Sequence, residues 1–211
     1  MLTTTRTVRR RLDFSRPVSL DTIAECIELA VQAPSAKNHQ GWSWIVVSDP
    51  EIRRQMGDIY RAAYWSYRVI AAQNRAVYAD DDLRGVQRQD VVSTSDYLAG
   101  CIEQAPVLVL ICVEGRPEGM NNSDLAALYG TVMPAAWSFM LALRSRNLAT
   151  AWTTIHIREE EKMAALLGLP PNTTQGVLLP VAHFTGEDFR PGRRRPMEEV
   201  VHWNGWGGRR S

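Results

Sequence analysis

The chain has 211 residues, 45% of them hydrophobic, with 24 basic against 23 acidic side chains. That length supports one substantial core, and the even balance sets up no global field toward nucleic acid or an anionic membrane. No Pro/Gly/Ser-rich linker or low-complexity tract divides the chain, so residues 1–211 read as a single domain.

Lys37 and Lys162 are the only lysines. Every other basic residue is arginine, the side chain suited to bidentate contacts with phosphate or carboxylate, although genome-wide codon bias gives the same excess. Cys26, Cys101 and Cys112 are odd in number, lack metal-ligand spacing and lie in apolar surroundings, which fits reduced, buried thiols. The opening MLTTTRTVRRRLDF carries positive charge without an apolar h-region, and the longest clean apolar run, Val107 to Val113, is too short to span a bilayer. The expectation is a cytoplasmic protein without a membrane partner.

In chain order, Ser19 caps a predicted helix with Ile23, Ile27, Ala30 and Val31 on one face, ended by Pro34. The loop APSAKNHQG follows, with Ser35, Lys37, Asn38, His39 and Gln40 packed between that helix and a strand from Trp42 to Val47. Five hydrogen-bonding side chains at a sheet edge exceed what a plain connection needs and point to ligand contact. A helical pattern runs from Pro50 to about Ala79. Asp80 to Asp90 is a charged excursion, residues 80–95 read as a mobile lid, and helix returns from Asp96 to Gln104.

VLVLICV, Val107 to Val113, is a β-branched run fit for a strand covered on both faces, and Glu114 to Asn122 is loop. Asp124 to Arg146 is apolar on nearly every face and would be roughly 34 Å long as a helix. Such a rod must be buried, in part against a second subunit, with Pro134 bending it or marking its start. A strand from Ala149 to Ile155, a helix through REEEKMAALLGLP stopped at Gly168, and a core strand from Gly176 to Phe184 complete an α+β chain of about four core strands, before a basic, Trp-bearing tail.

There is no G-x-G-x-x-G, no G-x-x-x-x-G-K-[ST], no G-x-S-x-G and no H-E-x-x-H. His39, His156, His183 and His202 show no metal spacing, so no metal site is expected. What remains is a pair of arginine-bearing ends: Arg6, Thr7 and Arg9 at the start, and Arg190 with Arg193, Arg194 and Arg195 near the close. Guanidinium pairs and a hydroxyl suit a phosphate. Spacing alone weighs toward a solvated basic face.

Taken in order, Arg6-Thr7-Val8-Arg9, the loop Ala33 to Trp42, YGTVMPAAWSFMLALRSRNLATAWTT, and LLPVAHF with FRPGRRRPMEEVVHW resemble the nitroreductase-like flavoprotein family over nearly the whole chain. The resemblance implies an α+β fold with a mixed sheet of about four to five strands flanked by helices, assembled as an intertwined homodimer with FMN at the interface. It implies cofactor contacts from Arg6, Thr7 and Arg9, from Arg194, from Pro34, Ser35 and Asn38 on a loop usually supplied by the partner, and from Thr153, Thr154 and Ile155 facing flavin N5. The position two before Arg194 is Gly192, so a second phosphate contact falls open to Arg190, Arg193 or Arg195. Gly41 stands where a proline is usual. Residues 196–211 would pack on the partner, with Trp203 and Trp206 as anchors.

Lys37 and His156 are candidates for substrate contact; a loop lysine is more often solvated, and a histidine at a strand end is as readily structural. Tyr60, Tyr64, Trp65 and Tyr67 sit at helical spacing and could roof a flavin, though such stripes are more often core. The activity implied is an NAD(P)H-consuming, FMN-dependent reduction of a small acceptor such as a nitroaromatic or quinone, with the chemistry on flavin N5 and no catalytic side chain. The alternative is a flavin-binding or sensor protein without turnover.

Overall fold

The computed structural model describes residues 1–73, 83–187 and 189–210. Strand β3 (Val107–Glu114) is buried at every residue except Glu114, which is why its sequence has no polar alternation. Alternate side chains enter two separate cores. Leu108, Leu110 and Cys112 pack with Met56, Tyr60, Tyr64 and Leu98 on one face. Val107, Val109, Ile111 and Val113 pack with Ile23, Cys26, Val132, Phe139 and Leu143 on the other. The period-2 pleat therefore assigns each helix its face: α2 (Pro50–Gln73) and α3 (Leu83–Ala99) on the first, α1 (Leu20–Ala30) and α4 (Asn122–Ser145) on the second.

The sheet has five strands. β2 (Trp42–Val47) and β5 (Thr173–Phe184) flank β3, while β1 (Leu12–Asp13) and β4 (Leu148–Thr150) both pair with the end of β5. Val181 of β5 faces Val107 across one edge and Thr150 across the other, and Thr153 extends the second edge with an isolated bridge to Leu178. Every one of these pairings is antiparallel, a correction to the mixed sheet that the family resemblance implied. Connections such as β2 through α2 and α3 to β3 return the chain antiparallel beside its predecessor, so no parallel pair arises among the described residues.

Local signals act as read. Ser19 accepts a hydrogen bond from the Thr22 N–H at the start of α1, and Gly168, at φ 64°, ends α5 (Glu160–Leu167) in a left-handed conformation. Several boundaries differ from expectation. α4 begins at Asn122 because Asn121 accepts from the Ser123 and Asp124 N–H groups. Pro134 lies inside α4; the carbonyl four residues back, robbed of its donor, belongs to exposed Gly130 and can turn to water. The strand expected over Ala149 to Ile155 stops at Thr150, and Ile155 opens a 3-10 helix.

Of the stretch read as a lid, residues 83–95 belong to α3 and residues 80–82 lie outside the described residues. The end of the expected helix beyond Gln73 lies outside them as well. Among the described residues α4 is the one helix long and apolar enough to cross a membrane, but its Val132, Phe139 and Leu143 are wholly buried beneath the sheet. Its burial is one-sided within a single chain, with Trp137 37% exposed. A short helix α6 (Met197–Val200) follows the arginine run in the tail.

The α4 packing depends on one glycine. The β3–β5 register slips between Ile111 and Cys112, leaving Gly176 as the extra residue of a bulge. A Cβ there would stand 2.7 Å from Val132 Cγ1 and 3.0 Å from the Ile111 carbonyl oxygen. Gly176→Ala is expected to destabilise the fold by about 1–3 kcal/mol, read as a lowered urea midpoint with an unchanged m-value.

Candidate active site

The chain entering the fold runs beside the β4 edge. The Val8 N–H donates to the Thr150 carbonyl at 2.9 Å, and the Trp152 N–H donates to Thr7 Oγ1 at 3.4 Å. These bonds carry Arg9 into a cleft of about 360 Å³ whose floor is Trp152, Thr153, Thr154 and Ile155. Tyr60, Tyr64 and Tyr67 of α2 form one wall, as their spacing of four and three residues places them on one helix face, and Ser95 and Leu98 of α3 complete it. The Tyr60 and Tyr64 rings lie nearly parallel, 6.4 Å apart, so the aromatic stripe serves core and cleft together.

Two features of this cleft suit an anionic, planar ligand. The Arg9 guanidinium is partly buried, and that desolvation lowers its pKa from the usual arginine value, with Tyr60 and Tyr64 nearby opposing the shift. Its hydrogen bond is to Thr94 Oγ1 at 3.4 Å, and among the described residues no carboxylate pairs with it. An anion entering the cleft would relieve that desolvation. Second, the buried Thr153 hydroxyl donates to the Tyr60 hydroxyl at 3.1 Å, which fixes its orientation, and accepts from the Ile155 N–H at 3.5 Å. The Thr154 N–H beside it makes no hydrogen bond among the described residues and lies on the open floor. The outer wall is braced by Asp96, which accepts from Tyr64 Oη at 2.6 Å and Arg68 Nε at 2.9 Å. Burial alone would raise the Asp96 pKa, but these two donors hold it below the ordinary carboxylate value.

The two termini meet. Arg6 Nη2 donates to the backbone carbonyl of Arg190. Arg194 is exposed and folds back, donating from Nη1 to the Arg193 carbonyl at 2.8 Å, and Arg195 pairs with Glu199 at 2.9 Å. The structure thus brings Arg9 together with Thr153, Thr154 and Ile155 and ties Thr7 to the adjoining Trp152, whereas Arg6 lines a separate cavity with Arg144, Thr150 and Phe189, and Arg194 lies on the C-terminal arm with its hydrogen bond to the Arg193 carbonyl.

The loop holding Pro34, Ser35, Lys37 and Asn38 stands elsewhere. It precedes β2, and strands β3 and β5 separate β2 from the Thr153 edge. Its shape is fixed by its own side chains: Ser35 Oγ accepts from the Gln40 N–H at 3.1 Å and Gln40 Nε2 donates to Asn38 Oδ1 at 3.1 Å. Lys37, Asn38 and Gln40 all adopt left-handed backbone, at φ 53°, 55° and 54°. Three such residues in four positions store strain, which concentrates at ligand-binding loops. Within its own chain this loop does not reach the Arg9 cleft; Gln40 and Gly41 line a different cavity with Glu114 and Asn172.

Sequence reasoning missed the device that anchors the C-terminal arm. Phe189 is packed against Phe184 with centroids 5.0 Å apart, and the guanidinium carbons of Arg11 and Arg144 lie 4.0 and 4.9 Å from the Phe189 ring centroid. Four residues from four segments form this clasp, and no local pattern announces it. The contributions of Thr94, Ser95 and Leu98 were missed for the same reason.

With that geometry in view, a family model described as Nitroreductase family matches residues 2–183. Iodotyrosine deiodinase 1 of Rattus norvegicus is 26% identical over 198 residues, covering 92% of this chain and 66% of that protein. This chain therefore spans slightly less than two thirds of that relative's length. Oxidized iodotyrosine deiodinase bound to FMN and 3-iodo-L-tyrosine superposes with a TM-score of 0.70 at 18% identity, covering 96% of each chain. The FMN and NADPH-dependent nitroreductase NfnB from Sphigopyxis sp. strain HMH superposes with a TM-score of 0.64 at 22% identity, again covering 96% of each. At these identities the superpositions establish the fold.

His156, a candidate for substrate contact, needs correction. It sits in the 3-10 helix Ile155–Glu159, is wholly buried, and neither ring nitrogen has a hydrogen-bond partner. Its side chain points into packed protein rather than the cleft, and burial pushes its pKa down to about 3. The imidazole is neutral when folded, whereas the unfolded chain takes up a proton near pH 6.5. Stability from this residue is therefore complete above pH 6.5 and is lost progressively as pH falls toward 3, by an upper bound of roughly 5 kcal/mol. Urea titrations at pH 7 and pH 5 are expected to show a smaller acid loss for His156→Met than for the unsubstituted chain.

Proposed function

Because the chain belongs to the nitroreductase family, we propose that it is an FMN-dependent oxidoreductase that takes hydride from NAD(P)H and passes electrons to a small acceptor such as a nitroaromatic or quinone. The observation that carries this reading is the Arg9 cleft, a partly buried guanidinium without a carboxylate partner among the described residues, facing a floor of hydroxyls and free backbone and a tyrosine wall. That donor set fits a phosphate-bearing planar cofactor. FMN, when bound, supplies the redox chemistry at its N5.

The chain's own residues supply position, charge and exclusion of water. Arg9 offers positive charge to an anion without moving, since Thr94 and the tyrosine wall hold it. The Tyr60 hydroxyl keeps Thr153 Oγ1 in one rotamer, and the Thr154 N–H is open to an acceptor atom lying on the floor. Tyr64 and Tyr67 cover the flat surface above, and Asp96 keeps Tyr64 from rotating away. Arg6, tied to the Arg190 carbonyl, holds the C-terminal arm against the N-terminal segment that carries Arg9. This arrangement needs no nucleophilic side chain.

A homodimer is part of this proposal, and the position of the remaining candidates supports it. Pro34, Ser35, Lys37 and Asn38 are too far across the sheet to serve their own cleft, so they reach a cofactor only as residues of a second copy. The tail has the apolar surface such a partner would cover, with Met197 57%, Trp203 41% and Trp206 94% exposed. A second reading, reductive dehalogenation of an aromatic, is favoured by the curated relatives, which are iodotyrosine deiodinases at 24–28% identity.

The purified protein is expected to be yellow, with bound FMN bleached anaerobically by NADPH or NADH and reoxidised by nitroaromatics or quinones. Flavin that resists both nicotinamides but turns over halogenated phenols with dithionite would favour the second reading. Yellow protein with no turnover would make it a flavin-binding protein only, and protein that stays colourless with added FMN ends the proposal. Arg9→Ala is expected to weaken FMN binding by about 1–3 kcal/mol, measured by fluorescence titration of FMN.

A further inference from the structure

The two stacked tyrosines of the cleft wall use their hydroxyls differently. Tyr64 Oη donates its proton to Asp96 at 2.6 Å. Tyr60 Oη is bonded instead to another hydroxyl, Thr153 Oγ1, at 3.1 Å. Two hydroxyl protons share one hydrogen bond there, so one proton of the pair is left over. The Ile155 N–H already takes a lone pair of Thr153 Oγ1 at 3.5 Å, and with Thr153 donating to Tyr60 the spare proton is the phenolic one. Among the described residues no acceptor receives it. Both residues line the cleft and both are withdrawn from bulk water, Tyr60 at 3% exposure and Thr153 at 9%. The surplus O–H is therefore left to whatever occupies the cleft, water in the free protein and an acceptor atom once a ligand has displaced that water. Burial holds the Tyr60 pKa above the ordinary tyrosine value, so the proton stays in place, while the Thr153 bond and the nearby Arg9 charge act the other way and polarise the O–H. The Thr154 N–H makes no hydrogen bond among the described residues, and no carboxylate lines the cleft among them. Spare donors without a competing anion make a site for an electron-rich acceptor atom.

Resting on the flavin reading of this cleft, we propose that Tyr60 Oη is a ligand-contacting donor, with Thr153 as the positioning residue behind it, and that it selects planar molecules presenting a carbonyl, nitro or quinone oxygen. That oxygen has two possible sources, a ring carbonyl of the flavin and the electron acceptor. A ring without an oxygen at that point displaces the water and leaves a buried O–H without a partner, which is how a hydrogen-bonding site rejects the analogue that lacks the group.

The test compares the unsubstituted full chain with Tyr60→Phe, Thr153→Val and the double variant, each of which removes hydroxyls at nearly constant volume. Two quantities are read: the Kd of FMN, by fluorescence titration, and the preference of the FMN-loaded protein for nitrobenzene over chlorobenzene, by calorimetry, which needs no turnover. In Tyr60→Phe at least one of them is expected to fall about five- to tenfold. Loss of FMN affinity identifies the flavin carbonyl as the source, and loss of the nitrobenzene preference identifies the acceptor. Thr153→Val is expected to have the smaller effect, and the double variant to match Tyr60→Phe alone, because Thr153 acts through Tyr60. A merely structural pair would lower the urea midpoint of the variants and move neither ligand quantity. Both quantities unchanged in Tyr60→Phe overturns the proposal, as does a larger loss in Thr153→Val, which would make Thr153 the donor, or an additive loss in the double variant. A protein that takes up no FMN counts instead against the flavin reading, and the nitrobenzene preference measured without flavin then decides the role of Tyr60 alone.

Discussion

Strand β5 is the constraint on which the rest of this structure depends, because both of its edges are in use. Along one edge it pairs with β3 from Thr173 to Val181; along the other it holds β4 and then Thr153 through Leu178. An edge occupied by a three-residue strand and a single bridge leaves backbone beyond it unpaired, and that is where Thr154 opens onto the cleft. Residues of β5 from Thr174 to Ala182 are buried, so the floor is anchored to a strand packed on both faces. A binding floor fixed in this way loses little freedom when a ligand arrives.

Around that floor, polar groups are oriented by partners from remote segments. Tyr60 comes from α2 and Thr153 from the segment after β4, yet their hydroxyls meet in a buried hydrogen bond. Thr7 and Val8 fasten the incoming chain to residues 150–152, which turns Arg9 inward. The cation–π clasp at Phe184 and Phe189 then brings the C-terminal arm back to Arg6. Each contact is modest alone. Together they make the cleft a place where charge and hydroxyls are set before any ligand binds, the condition under which electrostatic stabilisation works best.

The loop from Pro34 to Gln40 shows the opposite strategy. It is exposed, and its three left-handed residues are held by Ser35, Asn38 and Gln40 themselves and by the Ala36 N–H bond to Thr131 of α4. Its polar side chains are therefore spent partly on keeping a strained shape. Strain maintained on an exposed edge is consistent with a segment shaped for a surface outside its own chain.

The sequence by itself determined what depends on local order and periodicity: the caps at Ser19 and Gly168, the doubly covered β3, the greasy α4, and the polar loop before Trp42. Residue chemistry also singled out Arg6, Thr7 and Arg9 as suited to a phosphate, while the Thr153 to Ile155 segment was pointed to by the family resemblance alone. The tertiary structure decided which of these meet. It put Arg9 and Thr153 in one cleft, sent the Lys37 loop to the far side of the sheet, and buried His156 without a hydrogen-bond partner. Those outcomes depend on strand order and on contacts between residues up to 184 positions apart, such as Arg6 with Arg190. No window of sequence contains them, because the pairing energy that selects a strand order belongs to the assembled sheet and not to any single strand.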